Sequence, residues 1–333
     1  MLKFQKLGED VSILTEYIDK SRTPCCDISL GIRYMWRNDF NVSYAVYNNT
    51  LIMKESSPDY TDVFYYPIGN DELGALNQIE EYCKENSIPL TFGCLSNQVA
   101  EELKERYFDA KTFYEREWCD YIYTAEQFKT YAGKKLSGQR NHVNKFKRLY
   151  PDYKFKVIEP KDFERIKDFL LEFTKRAGEM SWSEEVELKT VFDLVEHMYS
   201  LNQVGGYLEV DGKMIAFSIG EVVGDTMIVH IEKALTEYDG VYPTMAKEFA
   251  NAFIGDGVKY INREEDCGDI GLRTSKMQYK PIELKEKVVL TANTIFERII
   301  PNVVITAGRV DLTEINKTDK EIYAKLYLDD DLN

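Results

Sequence analysis

Apolar and polar positions recur with two different periods along the chain, and these periods predict strands and helices in alternation. In the first third, short runs rich in tyrosine and valine have the composition of strands, at 44–47, 63–66 and 119–123. Between them, 72–86 and 98–107 repeat apolar residues at three- and four-residue steps, which is typical of helices. The first ~125 residues are therefore predicted to form an α/β unit.

The second half has a more distinctive order of elements. Its clearest feature is a hairpin over 206–219, in which Asp211-Gly212 is a type I′ turn signal between two apolar strands. The predicted elements are helices 160–178 and 184–201, strands 206–210, 213–219 and 226–231, helix 243–253, strand 258–262, helix 272–279 and strand 286–290. This is the element order of the GCN5-related N-acetyltransferase fold, an α/β (α+β) scaffold for acyl transfer.

Composition and charge narrow the class of protein. The 333 residues carry 42 Lys and Arg against 57 Asp and Glu, a net charge of −15, which argues against a general nucleic-acid coat but permits a local basic patch. No segment has the ~18 uninterrupted apolar residues of a transmembrane helix, and the start has no apolar signal region. We expect a soluble, cytoplasmic protein of two domains.

The cysteines and histidines do not form a recognisable metal motif. None of the six cysteines forms a C-x-x-C pair, and the three histidines are scattered. The expected state is reduced, mostly buried thiols, with no metal site. His230 lies among apolar residues and is interpreted as a core or cleft-lining residue.

One basic stretch stands out in this acidic chain. Residues 133–148 carry six Lys or Arg and no acid, and as a helix they place Arg140, Asn144 and Arg148 along one edge at four-residue steps. Such an edge can bind phosphate oxygens, and the candidate contacts are Arg140, Asn144 and Lys147. The alternative is a solvated basic helix that joins two domains.

Acidic residues follow the predicted strand that ends near Asn262. Groups just beyond the carboxyl end of a strand lie where α/β proteins usually bind ligands, and a carboxylate there can accept a proton from an attacking amine or hydroxyl. The candidate catalytic residues are Glu264, Asp266 and, on the neighbouring strand, Glu232. The candidate substrate-binding residues of this region are Asn262, Arg273, Lys276 and Tyr279. The alternative is plain ion pairing that fixes the loop.

Other chemistries lack their motifs. The glycine-rich turn that holds the pyrophosphate of acyl-CoA is replaced at 237–244 by a segment with one glycine and the bulky Tyr242-Pro243, so conventional CoA binding is not favoured. The sequence has no G-x-S-x-G and no H-E-x-x-H. No covalent nucleophile is indicated.

From about Lys20 to Thr291 the sequence resembles the soluble proteins that share the C-terminal domain of bacterial phosphatidylglycerol lysyltransferase. The resemblance is carried by Lys134–Phe146 and by Asn262–Lys276, with Trp36-Arg37 in the first half. The first motif is also similar to that of Fem-type peptidoglycan aminoacyltransferases. The resemblance implies two tandem acetyltransferase-like domains with mixed sheets flanked by helices. The expected ranges are 1–125, 126–290 with a basic linker helix at 134–149, and an extension over 291–333.

The same resemblance implies a reaction. It predicts an aminoacyl-tRNA as acyl donor, no bound cofactor, and an amine or hydroxyl acceptor on a small molecule or a lipid head group reached from the cytosol. Arg140 becomes the leading candidate for phosphate contact, and the acidic loop becomes a candidate catalytic cleft. Two alternatives stay open: a non-catalytic module that binds a metabolite or RNA, and an acyl-CoA-dependent N-acyltransferase.

Overall fold

The computed structural model describes residues 2–57, 60–177 and 182–292, which form two mixed β-sheets flanked by helices. The strands of the first sheet are β1 (Gln5–Lys6), β2 (Ser43–Tyr47), β3 (Thr50–Ser57), β4 (Tyr60–Phe64), β5 (Ile68–Gly69), β6 (Leu90–Leu95), β7 (Lys111–Phe113) and β15 (Val288–Ala292). Those of the second are β8 (Asp120–Thr124), β9 (Lys154–Val157), β10 (Val204–Val210), β11 (Lys213–Val223), β12 (Thr226–Ala234), β13 (Tyr260–Asn262) and β14 (Glu283–Lys285).

Ten α-helices lie within the described residues. They are α1 (Ser12–Thr15), α2 (Leu30–Met35), α3 (Glu72–Asn86), α4 (Asn97–Arg106), α5 (Ala125–Thr130), α6 (Ser137–Leu149), α7 (Phe163–Ala177), α8 (Trp182–His197), α9 (Val241–Phe253) and α10 (Ile270–Gln278). None of these helices is long and apolar enough to cross a membrane.

The two sheets follow the same plan. The first has the order β1-β2-β3-β4-β6-β15-β7, with β5 paired to β3, and the second has the order β14-β8-β13-β12-β11-β10-β9. Each sheet is antiparallel apart from one parallel pair, β4–β6 in the first and β12–β13 in the second. The helix before the second parallel strand, α3 or α9, makes the crossover connection.

The sheets exchange one strand each. Strand β8 follows β7 in the chain but lies between β13 and β14 of the second sheet, whereas β15 follows β14 but lies between β6 and β7 of the first. The expected ranges 1–125 and 126–290 therefore each contain a strand that pairs in the other sheet. The expected extension, 291–333, lies outside the described residues apart from the last two residues of β15.

Three apolar clusters fill the structure. One lies between the first sheet and helices α3 and α4, and another between the second sheet and helices α5, α6 and α9. The third spans the junction of the two halves and includes residues of α2, α7 and α8. Asp193 of α8 accepts a hydrogen bond from Tyr34 and pairs with Arg37 at 2.8 Å, so α2 is tied to the second half.

The helices and strands predicted for the second half are present, although the bounds of several differ from the prediction. The hairpin over β10 and β11 turns at Asp211 and Gly212, whose φ angles of 50° and 79° are those of a type I′ turn. The α/β fold class with mixed sheets is also confirmed. The helix predicted over 184–201 ends earlier, at His197.

Candidate active site

The neighbouring strands β12 and β13 separate at the junction of the two halves. Their parallel pairing ends where Ile228 lies opposite Asn262, and the chain then leaves the sheet through Glu264, whose φ is 57°. A β-bulge shifts the pairing of β11 with β12, so that His230 is the additional residue of β12. A side chain at Gly220, beside the bulge, would lie 2.2 Å from the carbonyl oxygen of Ile228, so this position requires glycine.

The bulge places His230 between two carboxylates. Its Nδ1 lies 2.7 Å from Oε1 of Glu264, and its Nε2 lies 2.9 Å from Oε1 of Glu221. The backbone N–H of Gly31 donates to the same Glu221 oxygen at 2.6 Å, and that of Leu30 donates to Oε2 at 3.3 Å. A hydrogen-bonded chain therefore runs from the start of α2, through Glu221 and His230, to Glu264.

The three side chains perturb one another because they are buried. Burial opposes the charge on His230, but the two carboxylates outweigh it and raise its pKa to about 9. Burial raises the pKa of Glu264 to about 7, against the opposing effect of His230. The pKa of Glu221 is lowered, because hydrogen bonds from His230 and Gly31 outweigh its burial. At neutral pH the chain thus holds a cationic His230 and a Glu264 that is poised to titrate.

A second buried cluster lies beside this chain and is centred on Lys287. Its ammonium group lies 2.6 Å from Asp27 and 2.9 Å from both Asp120 and Glu265, and only 5% of its side chain is exposed. Burial alone would lower the pKa of Lys287, but the carboxylates raise it well above its usual value. The cation and its acids come from both halves, so this cluster is an electrostatic contact between them.

Asn262 connects the two clusters. Its Nδ2 donates to Asp120 at 2.7 Å, and its Oδ1 accepts a hydrogen bond from the backbone N–H of Glu264 at 2.7 Å. Lys276 donates to the carbonyl oxygen of Glu265, which fixes the other side of the loop. Burial lowers the pKa of this lysine. These predicted residues are thus brought together with Glu264.

Asp266 lies in the same loop but is fully engaged. Arg273, Arg116 and Tyr121 all donate to its carboxylate, at 2.6–3.0 Å, and the N–H of Gly268 adds a fourth partner. Burial would raise the pKa of Asp266, but these donors lower it far below its usual range. Its contacts, and those of Arg273, are the ones expected from the ion-pairing alternative.

Glu232 is on β12, two residues beyond His230. Arg263 donates to it at 2.8 Å, both side chains are at least nine-tenths buried, and burial raises the pKa of Glu232. The guanidinium of Arg263 lies over the ring of Tyr279, 4.7 Å from its centroid, and that ring stacks on Phe128. Tyr279 is thereby part of an aromatic core.

The candidates on the basic helix α6 lie apart from these clusters. Arg140 donates to the carbonyl oxygens of Tyr131 and Gly133, at 2.6 and 3.1 Å, so it caps the end of α5. Asn144 is exposed, and Lys147 pairs with Glu248 of α9 at 3.1 Å.

Helix α6 also packs against the start of α9. A side chain at Gly240, the N-cap residue of α9, would lie 2.3 Å from the carbonyl oxygen of His142. This helix start is where CoA-dependent members of the fold hold the pyrophosphate. The close approach of α6 agrees with the poor match of 237–244 to a CoA-binding turn.

Sequence reasoning missed most of the residues around Glu264. The residues outside the predicted set are Cys26, Asp27, Asp120, Glu221, Glu265 and Lys287, and the sequence predicts His230 only as a core or cleft-lining residue. Cys26 and Asp27 are adjacent, whereas the others are distant from them in the chain, and only Glu265 belongs to the acidic loop that follows β13. The sequence does contain one signal for them. Asp120 and Lys287 are charged residues next to apolar strand segments, which is where a buried polar residue can be suspected.

Several solved structures have a similar architecture. A conserved protein of unknown function from Bacteroides thetaiotaomicron is 29% identical, with a TM-score of 0.82 over 88% of this chain and 100% of that one. The C-terminal domain of a putative lysylphosphatidylglycerol synthetase from Agrobacterium fabrum is 15% identical, with a TM-score of 0.64 over 86% and 92% of the two chains. L-PGS from Bacillus licheniformis is 15% identical, with a TM-score of 0.61 over 87% and 94%.

Two further proteins, one similar in structure and one in sequence, are more distant. FemX has the same fold, with a TM-score of 0.59 over 86% of this chain and 97% of that one, at 7% identity. An uncharacterized protein of Mycoplasmoides gallisepticum is 22% identical over 205 residues, which span 54% of this chain and 63% of that relative. The tandem acetyltransferase-like fold is thus confirmed.

The family model described as phosphatidylglycerol lysyltransferase, C-terminal, matches residues 23–290. This range includes both sheets apart from β1 and the last two residues of β15, and it contains every residue of the two buried clusters. The chain therefore belongs to the phosphatidylglycerol lysyltransferase C-terminal family.

Proposed function

We propose that this protein is an aminoacyltransferase that moves an aminoacyl group from tRNA to an amine or hydroxyl acceptor. The observation that carries the proposal is the buried chain Glu221–His230–Glu264, which holds a carboxyl group with a pKa of about 7 at the point where β12 and β13 separate. A carboxylate with such a pKa is a suitable general base at neutral pH.

The proposed step needs no covalent intermediate with the enzyme. The acceptor nitrogen or oxygen attacks the carbonyl carbon of the aminoacyl ester, and the bond from that carbon to the ribose oxygen breaks. Glu264 takes the proton of the acceptor and returns it to the ribose oxygen. Within the described residues His230 engages Oε1 of Glu264, which leaves Oε2 for this transfer. Glu221 and His230 act as positioning residues, because they hold Glu264 through hydrogen bonds.

The donor is inferred from two features. The start of α9 is covered by α6, which disfavours a conventional acyl-CoA, and the family includes proteins named as lysyltransferases of phosphatidylglycerol. The exposed basic residues Lys134, Lys135 and Arg148 offer phosphate contacts on an otherwise acidic chain. Arg140 and Lys147, with Asn144, stay candidates for such contacts, although Arg140 also has a structural role at the end of α5.

The test is a transfer assay with radiolabelled aminoacyl-tRNAs and two acceptors, vesicles that contain phosphatidylglycerol and a mixture of small amines. We expect label to leave the tRNA and appear in one acceptor, with a rate that rises as the pH passes through about 7, because Glu264 must be ionised. Glu264→Gln should lower this rate by at least ~100-fold. The exposed Glu283→Gln is the matched control.

The result also separates the alternatives. Transfer at the wild-type rate by a folded Glu264→Gln protein would remove Glu264 from the reaction. Binding of uncharged tRNA or a metabolite without any transfer would favour a binding module. Thermal stabilisation by acetyl-CoA, with no tRNA binding, would favour an acyl-CoA-dependent enzyme.

A further inference from the structure

Three side chains of kinds that commonly bind metal ions lie together in the first half, and they take no part in the proposed transfer. They are the thiols of Cys25 and Cys94 and a carboxylate oxygen of Asp27, and these atoms all lie within 4.8 Å of one another. Cys25 and Asp27 belong to one segment, and Cys94 lies on β6. The fold therefore brings together a set of two sulfur ligands and one oxygen ligand that no sequence motif indicates.

The backbone at Cys94 departs from regular strand geometry. Val288 pairs with Leu95 and Leu290 pairs with Phe92, so β6 has one additional residue in a β-bulge. Cys94 lies in this bulge with a φ of 54°, a left-handed conformation that is strained for a residue other than glycine. Such strain is kept only where surrounding contacts or a function maintain it.

The protonation of the group is compatible with a cation. The neighbouring thiol of Cys25 and burial both raise the pKa of Cys94, so the Cys94 sulfur is protonated when no cation is present. Burial would raise the pKa of Asp27, but Lys287 and Arg33 lower it below its usual range, and Asp27 is ionised. A divalent cation would replace the two thiol protons.

We propose that Cys25, Cys94 and Asp27 bind one Zn²⁺ ion. Zinc prefers four tetrahedral ligands and accepts a mixture of thiolate sulfur and carboxylate oxygen. Binding replaces waters of the hydrated ion and releases two protons from the thiols, and a remaining water occupies the fourth position. Lys287 donates to Oδ2 of Asp27 at 2.6 Å, so the ligand oxygen in this proposal is Oδ1, which lies 3.9 Å from Arg33.

The neighbouring group of Cys26, Asp120 and Glu265 also has metal-type donors, but a cation already lies among them. The ammonium of Lys287 is 2.9 Å from each carboxylate and 3.3 Å from the sulfur of Cys26. Since a metal would have to displace Lys287, this group serves as the internal comparison for the proposed site.

Cobalt provides the test, because Co²⁺ occupies zinc sites and its thiolate complexes absorb in the near ultraviolet and the visible. The full chain, purified and stripped with a chelator, is titrated with Co²⁺, and the bound metal is counted by mass spectrometry after reloading with Zn²⁺. We expect one metal per chain and a charge-transfer band that Zn²⁺ abolishes. Cys25→Ser and Cys94→Ser should both reduce the bound metal from one per chain to none.

Two variants serve as controls. Cys26→Ser alters the group that holds Lys287, and Cys267→Ser removes an exposed thiol, so both should retain one metal and the full band. Circular dichroism of the metal-free proteins establishes that each variant is folded, and if Cys94→Ser does not fold, Asp27→Asn provides the second test through weaker Co²⁺ affinity. Absence of the band in the wild type, its persistence in Cys25→Ser and Cys94→Ser, or its loss in Cys26→Ser would each overturn the proposal.

Discussion

The two sheets share one plan but present different chemistry to their junction. Each has a single parallel pair and a β-bulge near it, and the bulge carries Cys94 in the first sheet and His230 in the second. In the second half the bulged residue completes a hydrogen-bonded chain to Glu264. In the first half it joins a group of thiols. The same framework thus places a different residue at the junction in each half.

The first half acts as support for the second. The N–H groups of Gly31 and Cys26 donate to Glu221 and Asp120, which belong to the second sheet. The first half has a buried polar group of its own, formed by Arg33, Tyr65 and Glu55. Arg33 is only 2% exposed and donates hydrogen bonds to the other two side chains. In the proposed reaction, proton transfer takes place in the second half, and the first half aligns the carboxylates there.

The largest expected effect comes from separating the halves. Fragments 1–125 and 126–292 each lack a strand from the middle of their own sheet, β15 in the first and β8 in the second. We expect neither fragment alone to show cooperative unfolding, and the two together, co-expressed, to recover a folded complex. Urea unfolding followed by circular dichroism measures this, and a cooperatively folded single fragment would contradict it.

A smaller effect is expected from Lys287→Met, which leaves Asp27, Asp120 and Glu265 without their shared cation. Breaking a buried ion pair in this way costs about 3–5 kcal/mol of unfolding free energy. Lys285→Met, two residues earlier, is the matched control and should change that free energy by less than ~0.5 kcal/mol. Equal losses in both variants would show that the cluster does not join the halves.

The pH dependence of stability tests the His230 chain. The folded pKa of about 9 lies above the unfolded value of about 6.5, so the stabilisation is complete below pH ~6.5 and is lost as the pH rises through 9. Relative to His230→Gln, the wild type should lose on the order of 3 kcal/mol of unfolding free energy across that interval.

Urea titrations at several pH values give this difference, and the imidazole NMR signal of His230 reports its pKa directly. His142→Gln, which removes an exposed imidazole on α6, should keep the wild-type profile. A wild type without this loss between pH 6.5 and 9 would mean that His230 is not held between two carboxylates.

Gly220→Ala tests the bulge that carries His230. Its added methyl group would lie 2.2 Å from the carbonyl oxygen of Ile228, and such overpacking costs about 1–3 kcal/mol. Gly138→Ala on α6 meets no atom within 4 Å and should instead stabilise the helix by up to about 1 kcal/mol. Thermal and urea unfolding of the two variants measures the change in unfolding free energy, which should be a loss for Gly220→Ala and a gain for Gly138→Ala. An unchanged stability of Gly220→Ala would contradict the tight packing at the bulge.

The smallest effect is expected from Arg22→Ala in the first half. Arg22 pairs with Glu72 and Glu102, but all three side chains are a quarter or more exposed, so the loss should be at most about 1 kcal/mol. High salt should reduce it further. A loss as large as that of Lys287→Met would remove the contrast between surface and junction ion pairs.

Much of the second half could be predicted because its signals are local. The Asp211-Gly212 turn, the apolar periodicity of α9 and the strand ending at Asn262 all depend on near neighbours in the chain. The loop with Glu264 could be found for the same reason, since its acids directly follow a strand.

The junction could not be predicted because its partners are distant in sequence. Nothing within β8 or β15 indicates which sheet either strand enters, since β8 is buried along most of its length and β15 alternates buried and less buried positions, and strands of either sheet can do the same. The sequence gives no reason to expect Lys287 to be buried, because the three carboxylates that surround it, those of Asp27, Asp120 and Glu265, come from other parts of the chain. Asp266 and Arg140 show the converse: each has the right chemistry in sequence, but neighbouring donors and carbonyls already engage it.

The exchanged strands also set the order in which the protein can form during synthesis. The gap between β6 and β7 stays open until β15 has been made, about 180 residues after β7, which at 5–20 residues per second is roughly 10–35 s. For that time the nascent first half exposes two unpaired strand edges and the apolar face that Leu290 later covers. Completion of the first sheet is therefore a late event, and the edges of β6 and β7 are open to aggregation until β15 has been made.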